Sequence, residues 1–341
     1  MLVPFVIDHR CFKPDPHWSE PTIRACYNNL LDSWLRSGLL AIDGCSLEDS
    51  RLFNAIIEST PIKYDKRFKA ALAKYPKLFI PDWDGTITQR SLQRLSGVAK
   101  VAIVTDDCAR QEFGFGNDRD HCDDEYDVAI CRVQAFNYAL GFRNFAHRAS
   151  GFIRKNISCE EIWQSRFADL AQAPIKNISI VDRFSLERLV NEHNRGSCSG
   201  LERFLHLLDQ SAHGDRFLKI FAAHKKYYHE GVPRESYSIK DAKDLLTDLF
   251  NKLPRNNIKR ISVTINENRF HGEQAHDRYI RFERYAWDVG NGLSIFEGDN
   301  TGENIKVNFN YDHATMEEYR KLENETLAPS RDKKTQVFVI E

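Results

Sequence analysis

The chain has almost no net charge. Its 48 lysines and arginines meet 49 aspartates and glutamates, leaving a formal charge of -1. No global field therefore draws it towards nucleic acid or a membrane, and any anion site must be local. It also lacks a Cys-x-x-Cys pair. The eight cysteines, Cys11, Cys26, Cys45, Cys108, Cys122, Cys131, Cys159 and Cys198, are scattered along the sequence. That argues against zinc or a disulfide framework and for reduced, mostly buried thiols in a cytoplasmic protein. No apolar run approaches the ~18 residues of a membrane span, and the opening segment reaches Asp8 too soon for a signal peptide. Internal repeats and low-complexity tracts are missing as well.

What is present is an alternation of short apolar runs and helical patterns, which predicts an α/β layer structure. At 341 residues the chain is long enough for two domains. Residues 2–7 read as a buried strand ending at Asp8. Residues 20–36 form an amphipathic helix after a Ser19 cap, and residues 47–58 a second helix capped by Ser46. Further strands are expected at 77–80 and 100–105 around a helix at 87–95, with a strand at 127–131 and a helix at 133–140. The best boundary is Ala171 to Pro174, where proline ends a helix and an apolar strand begins. The expected division is 1–170, a Rossmann-like or PIN-like α/β domain, then 174–330, then a tail at 331–341.

The densest chemistry lies at 275–283, where His276, Asp277, Arg278, Arg281 and Glu283 share a strand-like run with Tyr279, Ile280 and Phe282. Trp287 and the Gly290-Asn291-Gly292-Leu293 turn follow, ending at Phe296. This pattern resembles the phospholipase D-like C-terminal domain of the microtubule-interacting-and-trafficking (MIT) domain proteins. The resemblance extends to a strand at 177–181 ending in Asp182, a helix at 200–208, a strand at 258–265, and a closing strand and helix around Asn310 and Met316. It covers about half the chain, roughly residues 174 to 328, and nothing N-terminal resembles the three-helix MIT domain. It implies a phospholipase D-like α/β domain that recognises anions, because that family looks like a binder of acidic phospholipid surfaces.

In the spacing of phospholipase D chemistry, His276 would be the nucleophile, Arg278 the phosphate ligand, and Glu283 and Asp182 the acids that orient the imidazole or pair with the guanidinium. Arg183, Arg281 and His313 would add anion contacts. Arginine suits this role, since its planar fork holds two oxygens and does not lose its charge. Phosphodiester hydrolysis also needs a second histidine as general acid. His224, His313 or a second copy of His276 in a homodimer are the alternatives.

The N-terminal acids form a second constellation. Asp8 ends one strand, Asp106 and Asp107 end another, and Glu48 lies on a following helix. Strand C-termini in a parallel sheet share one edge, so the four acids are expected to converge on Mg²⁺ or Mn²⁺, loosely resembling PIN-like nucleases. Neutralising one acid of such a self-repelling cluster should leave folding nearly unharmed. The Asp82-Trp83-Asp84-Gly85-Thr86 segment resembles the nucleophile loop of haloacid dehalogenase-like phosphatases, against a plain Asp-Gly turn. Between Asp106 and Asp127, nine acids face two arginines, a sign that repels nucleic acid from that surface. The joint expectation is a phosphodiester-binding or phosphodiester-cleaving protein of prokaryotic antiviral defence. Its partners are nucleic acid or acidic phospholipid, with a protein encoded in the same operon as a further partner. The alternatives are a non-catalytic phospholipid or protein binder with a scaffold N-terminal domain, and a metal-dependent PIN-like nuclease.

Overall fold

The structure, a computed structural model, describes residues 2–13, 18–60, 62–123, 126–229, 232–267, 278–327 and 335–341. The fold is α/β, and the chain divides into two compact units, Met1–Arg148 and Ala149–Glu341.

The first unit runs β1 (Val3–Ile7), α1 (Glu20–Ser37), β2 (Gly38–Asp43), α2 (Arg51–Ser59), α3 (Ile62–Lys74), β3 (Lys77–Ile80), α4 (Gln89–Leu95), β4 (Val101–Val104), α5 (Asp106–Phe113), β5 (His121–Cys122), β6 (Ala129–Arg132) and α6 (Leu140–Ala149). Its sheet has the order β3-β2-β1-β4-β6-β5, parallel except for β5. This is a doubly wound arrangement whose switch point lies between β1 and β4. The central strands are buried on both faces, so they read as unbroken apolar runs rather than alternations.

Three stretches here differ from the sequence expectation. Strand β2 follows α1 with no connecting residue, because Gly38 brings the backbone against Phe5 and Trp34; a Cβ there would lie 2.5 Å from the Phe5 ring. Helix α2 starts at Arg51 under a Ser50 cap, while Ser46 accepts the Asp49 N–H in the preceding turn. The reason is Asp43: its carboxylate accepts the Ser50 hydroxyl and the N–H groups of Arg51 and Leu52, fixing the helix start at the end of β2. Residues 133–140 hold only a 3-10 turn at Phe136–Tyr138 before α6.

The second unit comprises β7 (Ser150–Ile153), α7 (Cys159–Ile162), a π turn (Trp163–Phe167), α8 (Ala168–Gln172), β8 (Asn177–Val181), α9 (Ser185–Asn194), α10 (Gly200–Ser211), β9 (Arg216–His224), β10 (Lys226–His229), β11 (Val232–Glu235), α11 (Ile239–Asn251), β12 (Ile258–Glu267), β13 (Tyr279–Phe282), β14 (Tyr285–Val289), β15 (Ile305–Asn310), α12 (His313–Leu327) and β16 (Gln336–Ile340). The sheet order is β16-β12-β9-β8-β13-β14-β15-β7. The trio β8, β9 and β12 is parallel, while β13, β14, β15, β7 and β16 pair antiparallel.

The division falls earlier than residues 171–174. Strand β7 pairs with β15, and the Trp163 and Phe167 rings pack edge to face with Phe204 and Phe296 at centroid distances of 5.3 to 6.4 Å, so residues 149–173 belong to the second core. Residues 336–340 are no tail: β16 registers with β12 from Ile261↔Ile340 to Ile265↔Gln336. Among the described residues, no helix is long and apolar enough to cross a membrane.

Candidate anion-binding site

Strand β8 is the switch point of the second sheet. Its parallel partners β9 and β12 lie to one side and the antiparallel β13 to the other, so its carboxyl end lies where the sheet changes from parallel to antiparallel pairing. The β13–β8 register pairs Tyr279 with Val181. One step further along, Arg278 stands opposite Asp182. His276 and Asp277 lie outside the described residues.

Asp182 is buried, and both its oxygens are used. Oδ1 accepts the Phe184 N–H at 3.1 Å and Oδ2 the Leu293 N–H at 2.8 Å. Gly292, at φ 61°, passes so close that a Cβ would collide with the carboxylate. The sequence therefore needs glycine here for close approach as well as for backbone conformation. Asp182 ties β8, α9 and the turn at Gly292 together, and its negative charge remains beside Arg278.

Three guanidiniums surround the half-buried Phe184 ring. Arg183 lies 4.6 Å, Arg278 5.0 Å and Arg188 5.9 Å from its centroid. Each contact is in cation–π range, which lets like charges share one low-dielectric surface. Their crowding is legible in Arg278: burial lowers its pKa, Arg183 and Arg188 push in the same direction, and Asp182 opposes them. Arg188 pairs with Glu297 at 3.4 Å. Arg183 Nε is buried without a hydrogen-bond partner, and Arg278 has no ion pair, among the described residues. Arginine does not shed its charge, so a half-buried cluster of this kind has the charge and the donors to accept an anion.

Other expected site residues fall elsewhere. Glu283 sits in the two-residue turn between β13 and β14 at φ 52°, at the opposite end of β13 from Arg278. Its carboxylate accepts the Lys176 and Asn177 N–H groups, which fixes the start of β8, so it does not orient a group beside Arg278. Arg281 is on the other face of β13: Glu323 of α12 takes its Nε at 2.8 Å and Nη2 at 2.5 Å, and Ser179 Oγ accepts a further bond. That guanidinium is committed to holding α12 on the sheet and is not an anion contact. His313, 84% exposed, opens α12 and faces Glu317. His224, at the end of β9, is buried with Nε2 3.2 Å from the Tyr237 carbonyl oxygen.

Among the described residues no group of three or more His, Cys, Asp or Glu side chains is placed to hold an ion. Asp8 is wholly buried and accepts from Arg10 N–H, Nε and Nη2 and from the Ile87 N–H. Asp106 faces Gln134 at 2.9 Å and Arg132 at 3.7 Å. Asp107 and Glu48 are exposed, and Glu48 is held low by hydrogen bonds from its own backbone and Ser46. Asp82 and Asp84 are exposed in a turn closed by the Thr86 N–H on Asp84 and the Trp83 Nε1–H on the Thr86 carbonyl, the plain Asp-Gly turn.

Phe184 and Arg188 were not singled out by the sequence reading. Their signal was present: Phe184 caps α9 and Arg188 follows four residues on, the spacing at which side chains share a helix face. No protein-family model, no curated protein and no solved structure matches this chain.

Proposed function

We propose that the second unit is a phospholipase D-like anion-recognition domain that binds the phosphodiester backbone of single-stranded nucleic acid at Arg183, Arg188 and Arg278, in a cytoplasmic setting suited to antiviral defence. The carrying observation is the convergence of three guanidiniums on Phe184 at a sheet switch point, with a single ion pair to them among the described residues. A guanidinium layer over an aromatic ring offers both phosphate ligands and a stacking platform, the combination used for single strands. The free cysteines fit a reducing compartment. The reading is recognition rather than hydrolysis, because Asp182 spends both oxygens on backbone N–H groups and Glu283 lies at the far end of its strand.

Fluorescence anisotropy of labelled single-stranded DNA and RNA, over a salt series, tests it. Arg278→Lys keeps the charge but loses the planar fork, so affinity should fall about ten-fold, the equivalent of one charge-assisted hydrogen bond. Each guanidinium removed by Arg183→Ala or Arg278→Ala should reduce the salt slope by about 0.7, the single-strand value per phosphate. No oligonucleotide binding at low salt, or an Arg278→Lys variant equal to the parent, sinks the proposal. Binding confined to acidic vesicles would reassign the site to a lipid headgroup.

A further inference from the structure

Glu297 ends the 3-10 turn Gly292–Phe296 as its cap residue. That turn is anchored to the site, since the Leu293 N–H rests on Asp182 and Gly292 lies against the same carboxylate. Glu297 Oε1 meets Arg188 Nη1 at 3.4 Å, with the two side chains 28% and 33% exposed. Burial raises the Glu297 pKa, with Arg188 opposing and Glu192 and Asp182 adding to the rise. A carboxylate whose surroundings disfavour its charge is poorly explained as a stabilising ion pair. It occupies one of three guanidiniums that otherwise converge on the same ring.

We infer that Glu297 sets the charge of the ligand: it stands in for one negative charge on Arg188 and fits the site to a phosphodiester monoanion rather than a phosphomonoester dianion. This rests on the reading of the arginine cluster as a phosphodiester site. Among the described residues, three positive charges, from Arg183, Arg188 and Arg278, face two negative ones, from Asp182 and Glu297, and one positive charge remains. Two neighbouring acids are paired locally: Glu192 with Arg195 at 2.8 Å and Asp299 with Arg203 at 3.7 Å. A diester carries the single negative charge that matches. A phosphomonoester, whose second pKa is near 6, carries about two at pH 8 and leaves a desolvated excess.

The test displaces a labelled single-stranded oligonucleotide with thymidine 5′-phosphate and with its methyl ester at pH 8, in the parent and in Glu297→Gln. The two competitors share base and sugar and differ by one charge. The parent should favour the methyl ester. Because Coulomb energy scales with ligand charge, Glu297→Gln should strengthen the monoester about ten-fold when it strengthens the methyl ester about three-fold. Glu297→Asp keeps the charge and should keep the parental preference, and a melting curve confirms folding of both variants. Equal gains for the two competitors, no gain, or displacement by neither while the oligonucleotide stays bound overturns the role of Glu297. Failure of the parent to bind the oligonucleotide at all overturns the underlying site instead.

Discussion

The carboxyl edges of the two sheets carry the same kinds of residue and use them in opposite ways. In the first unit, Asp8 and Asp43 end adjacent strands and are closed off by their own surroundings. Arg10 and the Ile87 N–H saturate Asp8, and Ser50 with the start of α2 saturates Asp43. In the second unit Asp182 is saturated just as fully, by backbone N–H groups, but among the described residues nothing comparable consumes Arg183 and Arg278. A switch point supplies a crevice; whether it becomes a site depends on which charges the fold leaves uncompensated. Among the described residues, the first edge groups no three acids to hold an ion, and the second gathers three guanidiniums around one ring.

The comparison breaks most readily at Gly292. Gly292→Ala must hold φ 61° and drive a methyl group into the Asp182 carboxylate. Strain and the loss of a buried hydrogen-bonded anchor should together cost about 3 kcal/mol or more. Hydrogen exchange of Asn177–Val181 and Tyr279–Phe282 should accelerate while Val3–Ile7 is unaffected. Equal protection in both sheets would show that Asp182 does not anchor the second edge.

Asp8→Asn is the matching perturbation of the first edge, and it reverses an expectation. A cation cluster would tolerate the change, whereas a buried carboxylate that accepts from Arg10 and from a backbone N–H should not. The expected destabilisation is about 2–4 kcal/mol, from an uncompensated Arg10 and a misdirected amide. Thermal unfolding of the first unit measures it, and an unchanged melting temperature would return Asp8 to the metal reading.

Strand alternation explains how much of the second site was legible. Buried strands ending in acids announced β1 and β8, and Ser19 marked α1 correctly. Arg278 and Asp182 came together because antiparallel pairing with β8 follows from a buried run on each strand. Arg281 lies apart from Arg278 because residues three positions apart on a strand face opposite sides, and Glu283 because β13 ends at Phe282 and leaves it in the turn at the far end. Arg188 required knowing that α9 starts at Ser185, and Glu297 required a turn whose position is set by Asp182 more than one hundred residues away in sequence. Strand β2 was hidden because α1 runs into it with no loop, so the turn residues that punctuate other strands are missing.

That parity makes a sharper test of β13 itself. Arg281→Lys loses the forked contact with buried Glu323 and should destabilise the second unit by about 1.5–3 kcal/mol while leaving oligonucleotide affinity within about two-fold. Arg278→Lys should do the reverse, weakening binding with little change in unfolding. Melting and anisotropy on the two variants give a crossed pattern. A parallel pattern, both variants losing binding or both losing stability, would mean that the two faces of β13 are not functionally separate.

The smallest expected effect lies at Glu297 and concerns pH. Its folded pKa is raised above the ordinary 4.5, chiefly by burial. The folded state therefore holds this proton more tightly than the unfolded state, and the stability it contributes is present below about 4.5 and lost as pH rises through the raised value. Glu297→Gln removes that proton linkage. At pH 7 the variant should melt no lower than the parent, because it no longer carries a charge its surroundings disfavour. As pH falls through the window above 4.5, the parent should gain on the variant until the two curves run parallel. Arg188 loses a partner in the variant, but a pair about one-third exposed contributes little. A Glu297→Gln variant that melts clearly lower at pH 7, with the gap closing on acidification, would show that the ion pair stabilises the fold and is not an internal substitute for ligand charge.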